Sequence, residues 1–248
     1  MDIKERILET LKKELEPLGY RYIKSESKFK RNVSKDILVY LYYCASNYHR
    51  GYTTVTFYPN SRYWDIRREL QNQSIIDIKY WTFGFCCRLQ WMRPDAPWTP
   101  WDFVFCVDDT EEIVSEKLKE MAWCVRTYLI PYLERVSHRS SALEEAIALN
   151  RRFLLQNEYL IPVMYCVWKH DKKAAMDYLK DRGEQIRELA KPEEWEFLAR
   201  MKKGETLMPD EHPRHALSYD RYINNEARKA REWIESQEYD SMMIRSSI

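Results

Sequence analysis

The stretch WDFVFCVDDTEEIVSEKLKE, from Trp101 to Glu120, decides the fold. Its first seven residues alternate, with Trp101, Phe103, Phe105 and Val107 on one side, which is the period-2 pattern of a strand with one buried face. At Asp108-Asp109-Thr110 the pattern stops. Acidic residues and Thr supply an N-cap and complement a helix dipole, so a helix is predicted from here to about Val136, kinked at Pro131. Before this junction the chain reads as strands; beyond it the chain reads as helices.

Upstream, residues 2–17 place Ile3, Ile7, Leu8, Leu11 and Leu15 on one stripe, an amphipathic helix stopped by Pro17 and Gly19. Ile37–Cys44 is a continuous β-prone run, and Tyr52–Tyr58 alternates Thr with Tyr, Val and Phe. Residues 80–92 read as the clearest strand, with Trp81, Phe83, Phe85, Cys87, Leu89 and Trp91 on one face and Arg88 and Gln90 on the other. Turn signals lie at Asn47 to Gly51, at Pro59-Asn60-Ser61 and in the Pro94–Pro100 segment, and residues 61–72 suit a helical insertion. Short connections favour an antiparallel meander. Downstream, helices are expected from Ser141 (with Leu143, Ile147, Phe153 and Leu154 inward), over 172–190 (with Ala175, Leu179, Ile186 and Leu189 inward), around Trp195–Met201, and at Ile223–Ile234. Residues 158–170, apolar nearly all round with Pro162 near the start, suit a buried helix, with a strand as the alternative; Met208–His215 reads as a loop and the tail from Glu238 as frayed. The expectation is an α+β protein. An antiparallel sheet of about five strands is packed by helices over residues 1–140, and an α-helical region follows over 141–248.

The 248 residues carry 40 Lys and Arg against 39 Asp and Glu, a net charge of +1. Only five are glycine, and neither a phosphate-cradling Gly-rich loop nor a nucleophile elbow occurs. With no apolar leader and no run near the ~18–20 apolar residues that span a bilayer, the sequence predicts a cytoplasmic protein without membrane association. Its six cysteines sit in apolar stretches without C-x-x-C spacing, as reduced buried thiols do. Charge is unevenly spread. Residues 20–93 hold 13 Lys and Arg against 5 Asp and Glu, whereas 109–248 hold 23 against 26. A basic, Tyr-rich sheet attracts an acidic protein surface or a nucleic-acid backbone; alternatively, these charges only solvate strand ends and a helix.

Candidate chemistry is sparse. Asp210-Glu211-His212-Pro-Arg-His215 has metal-ligand residue types, but Pro213 prevents helical pairing of the two His, and a polar loop is the simpler account. Paired carboxylates at Asp108-Asp109, Glu111-Glu112 and Glu193-Glu194 read as helix caps. Cys44 with His49 and Cys124 with His138 are the sequence-near thiol–imidazole pairs, and both cysteines lie in runs that predict burial. No catalytic residue, metal or cofactor is therefore expected. The anomaly is aromatic content, 18 Tyr and 9 Trp. Tyr52, Thr54, Thr56 and Tyr58, with Arg88, Gln90 and Trp98, form a tentative partner-binding surface of interface composition. The same composition suits a stacking platform for single-stranded nucleic acid, or cross-strand pairs covered by the first helix. The Trp- and Pro-rich segment 91–101 is a candidate binding loop or a lid on a core edge.

Three short motifs carry a resemblance. Leu18-Gly19-Tyr20 after the first helix, Phe29-Lys30-Arg31 at the next strand, and Leu129-Ile130-Pro131-Tyr132-Leu133 closing a long helix resemble a bacterial domain-of-unknown-function family, the one numbered four-three-zero-four. The matches are scattered over about residues 5–155. The resemblance brings no catalytic residues. It implies, by analogy with relatives encoded near toxins, an immunity or partner-binding role. The function expected from the sequence is an intracellular protein-interaction module, immunity-like or regulatory, with an unknown protein partner. The alternatives are single-stranded nucleic-acid binding and an enzyme with an unrecognised site.

Overall fold

The computed structural model describes residues 2–49, 51–70, 87–93, 101–142, 144–145, 160–208 and 210–238. Contacts divide the chain into two units, Met1–Arg67 with Thr82–Glu145, and Arg68–Trp81 with Ala146–Ile248.

The first unit is a five-stranded antiparallel sheet backed by helices, as the alternation predicts. Helix α1 (Ile3–Leu15) buries Ile7, Leu11 and Leu15 and ends in a short 3-10 turn at Gly19, whose φ of +84° favours glycine. Strands β1 (Arg21–Ile23), β2 (Lys28–Asn32), β3 (Ile37–His49), β4 (Tyr52–Tyr63) and β5 (Phe103–Cys106) lie in sequence order across the sheet. The continuous apolar run of β3 has a simple cause: Ile37, Leu38, Val39, Tyr40 and Leu41 are all buried, so both faces of its first half are covered. Odd-numbered residues of β2–β5, among them Phe29, Val39, Leu41, Val55, Phe57 and Phe105, form the inner face against the helices. Even-numbered residues form the outer face.

Helix α2 (Trp64–Leu70) follows β4 without a loop, and α3 (Leu89–Met92) precedes β5. Helix α4 (Glu111–Cys124) starts at Thr110, whose hydroxyl accepts the Ile113 N–H. It continues through a π turn at Val125–Leu129 into α5 (Ile130–Arg135). Ahead of Pro131 the missing proline N–H is absorbed by a widened turn, in which the Ile130 N–H reaches the Val125 carbonyl. The inner face meets this helical layer directly, since the Tyr63 hydroxyl donates to the Val136 carbonyl at 2.7 Å.

Three expectations need correction. Pro59-Asn60-Ser61 is no turn; β4 runs through it to Tyr63. The Phe57 N–H and the Pro59 carbonyl point to the edge away from β3, so Pro59 lacks a donor only where β5 no longer pairs. Residues 89–92 form α3, not the end of a strand, because a short apolar run reads alike in either geometry. Of the strand read at 80–92, residues 80–86 lie outside the described residues, as do Leu143, Ile147, Phe153, Leu154, Trp98 with most of the Trp/Pro segment, and the tail beyond Glu238. Finally, Val107 is past the end of β5 and exposed.

The second unit is helical. Helix α6 (Leu160–Trp168) is buried from Val163 to Val167, which resolves the helix-or-strand alternative, and α7 (Lys172–Leu189) is capped by Asp171 accepting the Ala174 N–H at 2.8 Å. Leu189, expected inward, is exposed at the last residue of that helix. Helix α8 (Pro192–Lys202) is followed by α9 (Arg214–Arg221), a π turn at Tyr222–Ala227, and α10 (Arg228–Ser236). Gly183 of α7 lets the Tyr222 and Ile223 side chains approach to within 3.4 Å of where a Cβ would stand, and the Tyr222 hydroxyl donates to the Leu179 carbonyl. Among the described residues, no helix is long and apolar enough to cross a membrane.

Candidate functional site

The outer face of the sheet carries the most unusual chemistry of the first unit. The strand register sets Lys28 opposite Tyr42 and Tyr42 opposite Tyr58, forming one row across β2, β3 and β4. The next row places Lys30 beside Tyr40 and Tyr40 beside Asn60. The Tyr42 and Tyr58 rings lie 5.8 Å apart, tilted by 31°. Lys28 Nζ stands 5.1 Å from the centre of the Tyr40 ring and 6.0 Å from that of Tyr42. The Arg62 guanidinium is 5.0 Å from Tyr40, and that of Arg88 is 5.7 Å from Tyr58. At the β4–α2 junction, Arg62 and Arg67 lie 5.7 and 5.5 Å from Trp64. Such pairs are held by attraction between a cation and the negative ring face. Burial raises the Tyr42 hydroxyl above its ordinary range, so this tyrosine stays neutral. One carboxylate, Glu26, answers Lys30 at 2.5 Å and Lys28 at 3.4 Å, and these two cations hold it below the usual carboxylate range.

No family model, curated protein or solved structure matches the chain. Arg31 stacks 4.9 Å over the buried Tyr20 ring and pairs with Glu134, which directly follows the Leu129–Leu133 motif, while its NH1 reaches the Leu18 carbonyl at 3.5 Å.

The structure rearranges the tentative surface. Tyr52 is exposed, at 47%, and Tyr58 is half-buried within the cation–aromatic row. Thr54 and Thr56 are 4% and 6% exposed and do not form an open face; the Thr54 hydroxyl donates to the Ser46 carbonyl at 3.2 Å. Gln90 is buried in α3, whereas Arg88, just before that helix, reaches Tyr58 by a route that strand alternation did not describe. Tyr40, Tyr42, Arg62 and Trp64 escaped the sequence reading, and Lys28 and Arg67 entered it only as charges of the basic stretch 20–93. Even-numbered spacing through Tyr58-x-Asn60-x-Arg62 was the available signal, hidden by reading Pro59 as a turn.

The other candidates are structural. Asp102 accepts the Phe57 N–H at 2.6 Å and so completes the β4 edge just before β5 begins. Burial pushes its carboxyl up to about 6, against that hydrogen bond and the nearby Arg88 charge. Burial also raises the Cys124 thiol to about 11 and that of Cys166 to about 12, which removes them as nucleophiles at neutral pH; the five described cysteines are all free. Of the metal-like segment, His215 Nδ1 lies 3.0 Å from Glu194, which also accepts the backbone N–H groups of His215 and Ala216 at the start of α9. No group of potential metal ligands occurs among the described residues. A cleft of about 690 Å³ lies between the α1 start, the β3–β4 hairpin and the β5–α4 connection. It is lined by Asp2, Arg6 and Asp109, of which Arg6 pairs with Glu111 and Asp109 with Lys117, both at 2.6 Å.

Proposed function

We propose that this chain is a protein-interaction module whose outer sheet face docks an acidic protein partner. The observation that carries this reading is that Tyr40, Tyr42, Tyr58 and Trp64 each lie beneath a Lys or Arg of the same chain. A base-stacking platform needs open ring faces, and here those faces are already occupied. What such a surface offers a partner is ordered positive charge on a rigid aromatic floor, the complement of Asp and Glu side chains. Tyr, Trp and Arg are also the residue types that dominate binding energy at protein interfaces. The immunity or partner-binding role implied by the family resemblance agrees with this reading.

The test is fluorescence anisotropy of the full chain with a labelled octaglutamate peptide and a labelled oligo-dT of similar length. Salt-dependent octaglutamate binding, weakened at least about five-fold by Lys28→Glu with Arg88→Glu, is the expected result. Preferential oligo-dT binding would transfer the function to single-stranded nucleic acid, and binding of neither probe would remove the reading.

A further inference from the structure

Several arginines of the first unit are paired with carboxylates. Arg6 holds Glu111, Arg31 holds Glu134, Arg126 holds Glu14 and Arg139 holds Asp65. Arg62 and Arg67 hold no carboxylate among the described residues and lie instead against the Trp64 ring. Arg62 Nε is shut off from solvent with no acceptor, as is that of the carboxylate-paired Arg31, an arrangement that ordinarily costs about 1–3 kcal/mol and calls for a cause. The cause is visible in the packing. The Arg62 guanidinium lies against both the Tyr40 and the Trp64 ring, and Arg67 reaches the same indole from α2, which continues β4 without a loop. Both guanidinium groups are thus held against one indole, and immobilisation before binding lowers the entropy cost of capture.

We propose that Arg62 and Arg67, held on Trp64, form a carboxylate clamp, and that its ligand is an acidic polypeptide segment with neighbouring Asp or Glu side chains. This rests on the interaction reading above and names the residues that recognise the partner. A planar carboxylate matches the bidentate geometry of a guanidinium, which an ammonium cannot reproduce. A nucleobase would have to compete with the arginines for these rings.

The experiment uses the full chain labelled with 5-fluorotryptophan, the Trp64 resonance being assigned by Trp64→Phe. Octaglutamate is expected to shift that resonance. Arg62→Lys with Arg67→Lys, which keeps the charge, is expected to weaken octaglutamate at least about ten-fold, whereas Lys28→Ala changes it less than about two-fold. An unchanged thermal midpoint in the lysine variant certifies its fold, and each arginine replaced alone serves if the double variant fails that check. Should the lysine variant bind like the wild type while Lys28→Glu with Arg88→Glu still binds weakly, the clamp is wrong and the docking face stands. Displacement of octaglutamate by an equal concentration of inorganic phosphate would overturn the polypeptide ligand. Failure of the wild type to bind octaglutamate defeats both proposals.

Discussion

The two faces of the sheet arise from one alternation and do different work. The inner face presents Phe29, Val39, Leu41, Val55 and Phe57, all with no exposure, to the helical layer. Each fully buried apolar side chain of this kind contributes about 1.5–3 kcal/mol through removal from water. The outer face presents Lys28, Tyr40, Tyr42, Tyr58 and Arg62, joined by cation–aromatic contacts worth about 0.5–1 kcal/mol each when partly exposed. Stability therefore resides mainly on the inner side; on the outer side Leu38, Tyr40, Thr54 and Thr56 are buried too, while Lys28, Tyr42, Tyr58 and Arg62 stay partly exposed.

The largest effect separates neighbouring residues on opposite faces. Phe57→Ala should destabilise by about 3–5 kcal/mol in denaturant unfolding, and Tyr58→Ala by about 1 kcal/mol. Equal losses would break the comparison.

Asp102 tests the edge where the faces meet. Its carboxyl is raised from 3.8 to about 6, so the folded chain holds this proton more tightly than the unfolded chain does. That contribution is complete below about pH 4 and is lost as pH rises through about 6. Asp102→Asn, which keeps an acceptor for the Phe57 N–H, should therefore be about 1–3 kcal/mol more stable than wild type at pH 7.5 and indistinguishable near pH 4. A flat difference across this range would remove the buried charge as its source.

A smaller loss is expected at Gly19→Ala, about 1 kcal/mol, because φ is +84° there while the added methyl would meet Arg31 only at an ordinary 3.8 Å. Smallest in stability is Glu26→Gln. Its partners Lys28 and Lys30 lie on the outer face, so the thermal midpoint should not move, while octaglutamate affinity should rise about two-fold. A fall in affinity would show that Glu26 orders the face rather than neutralising it.

Much of the fold was legible because it depends on local periodicity. The amphipathic stripe of α1, the paired alternation of β4 and β5, and the Thr110 cap each follow from neighbours within a few residues. The candidate site was less legible. Thr54 and Thr56 alternate as outer-face residues should, yet the sheet buries them; Arg88 belongs to the site although no strand carries it. Burial of an outward-facing residue depends on what the rest of the chain lays over it, which no window of sequence contains.

By itself, the sequence determined the order of strands before helices, the antiparallel meander and the basic balance of residues 20–93, since periodicity and charge are properties of the chain. Tertiary structure alone decided that Pro59 continues a strand, that Pro131 follows a π turn, and that Arg62 and Arg67 converge on Trp64. The physical reason is register: which residues stand side by side across strands is fixed by the packing of the whole sheet.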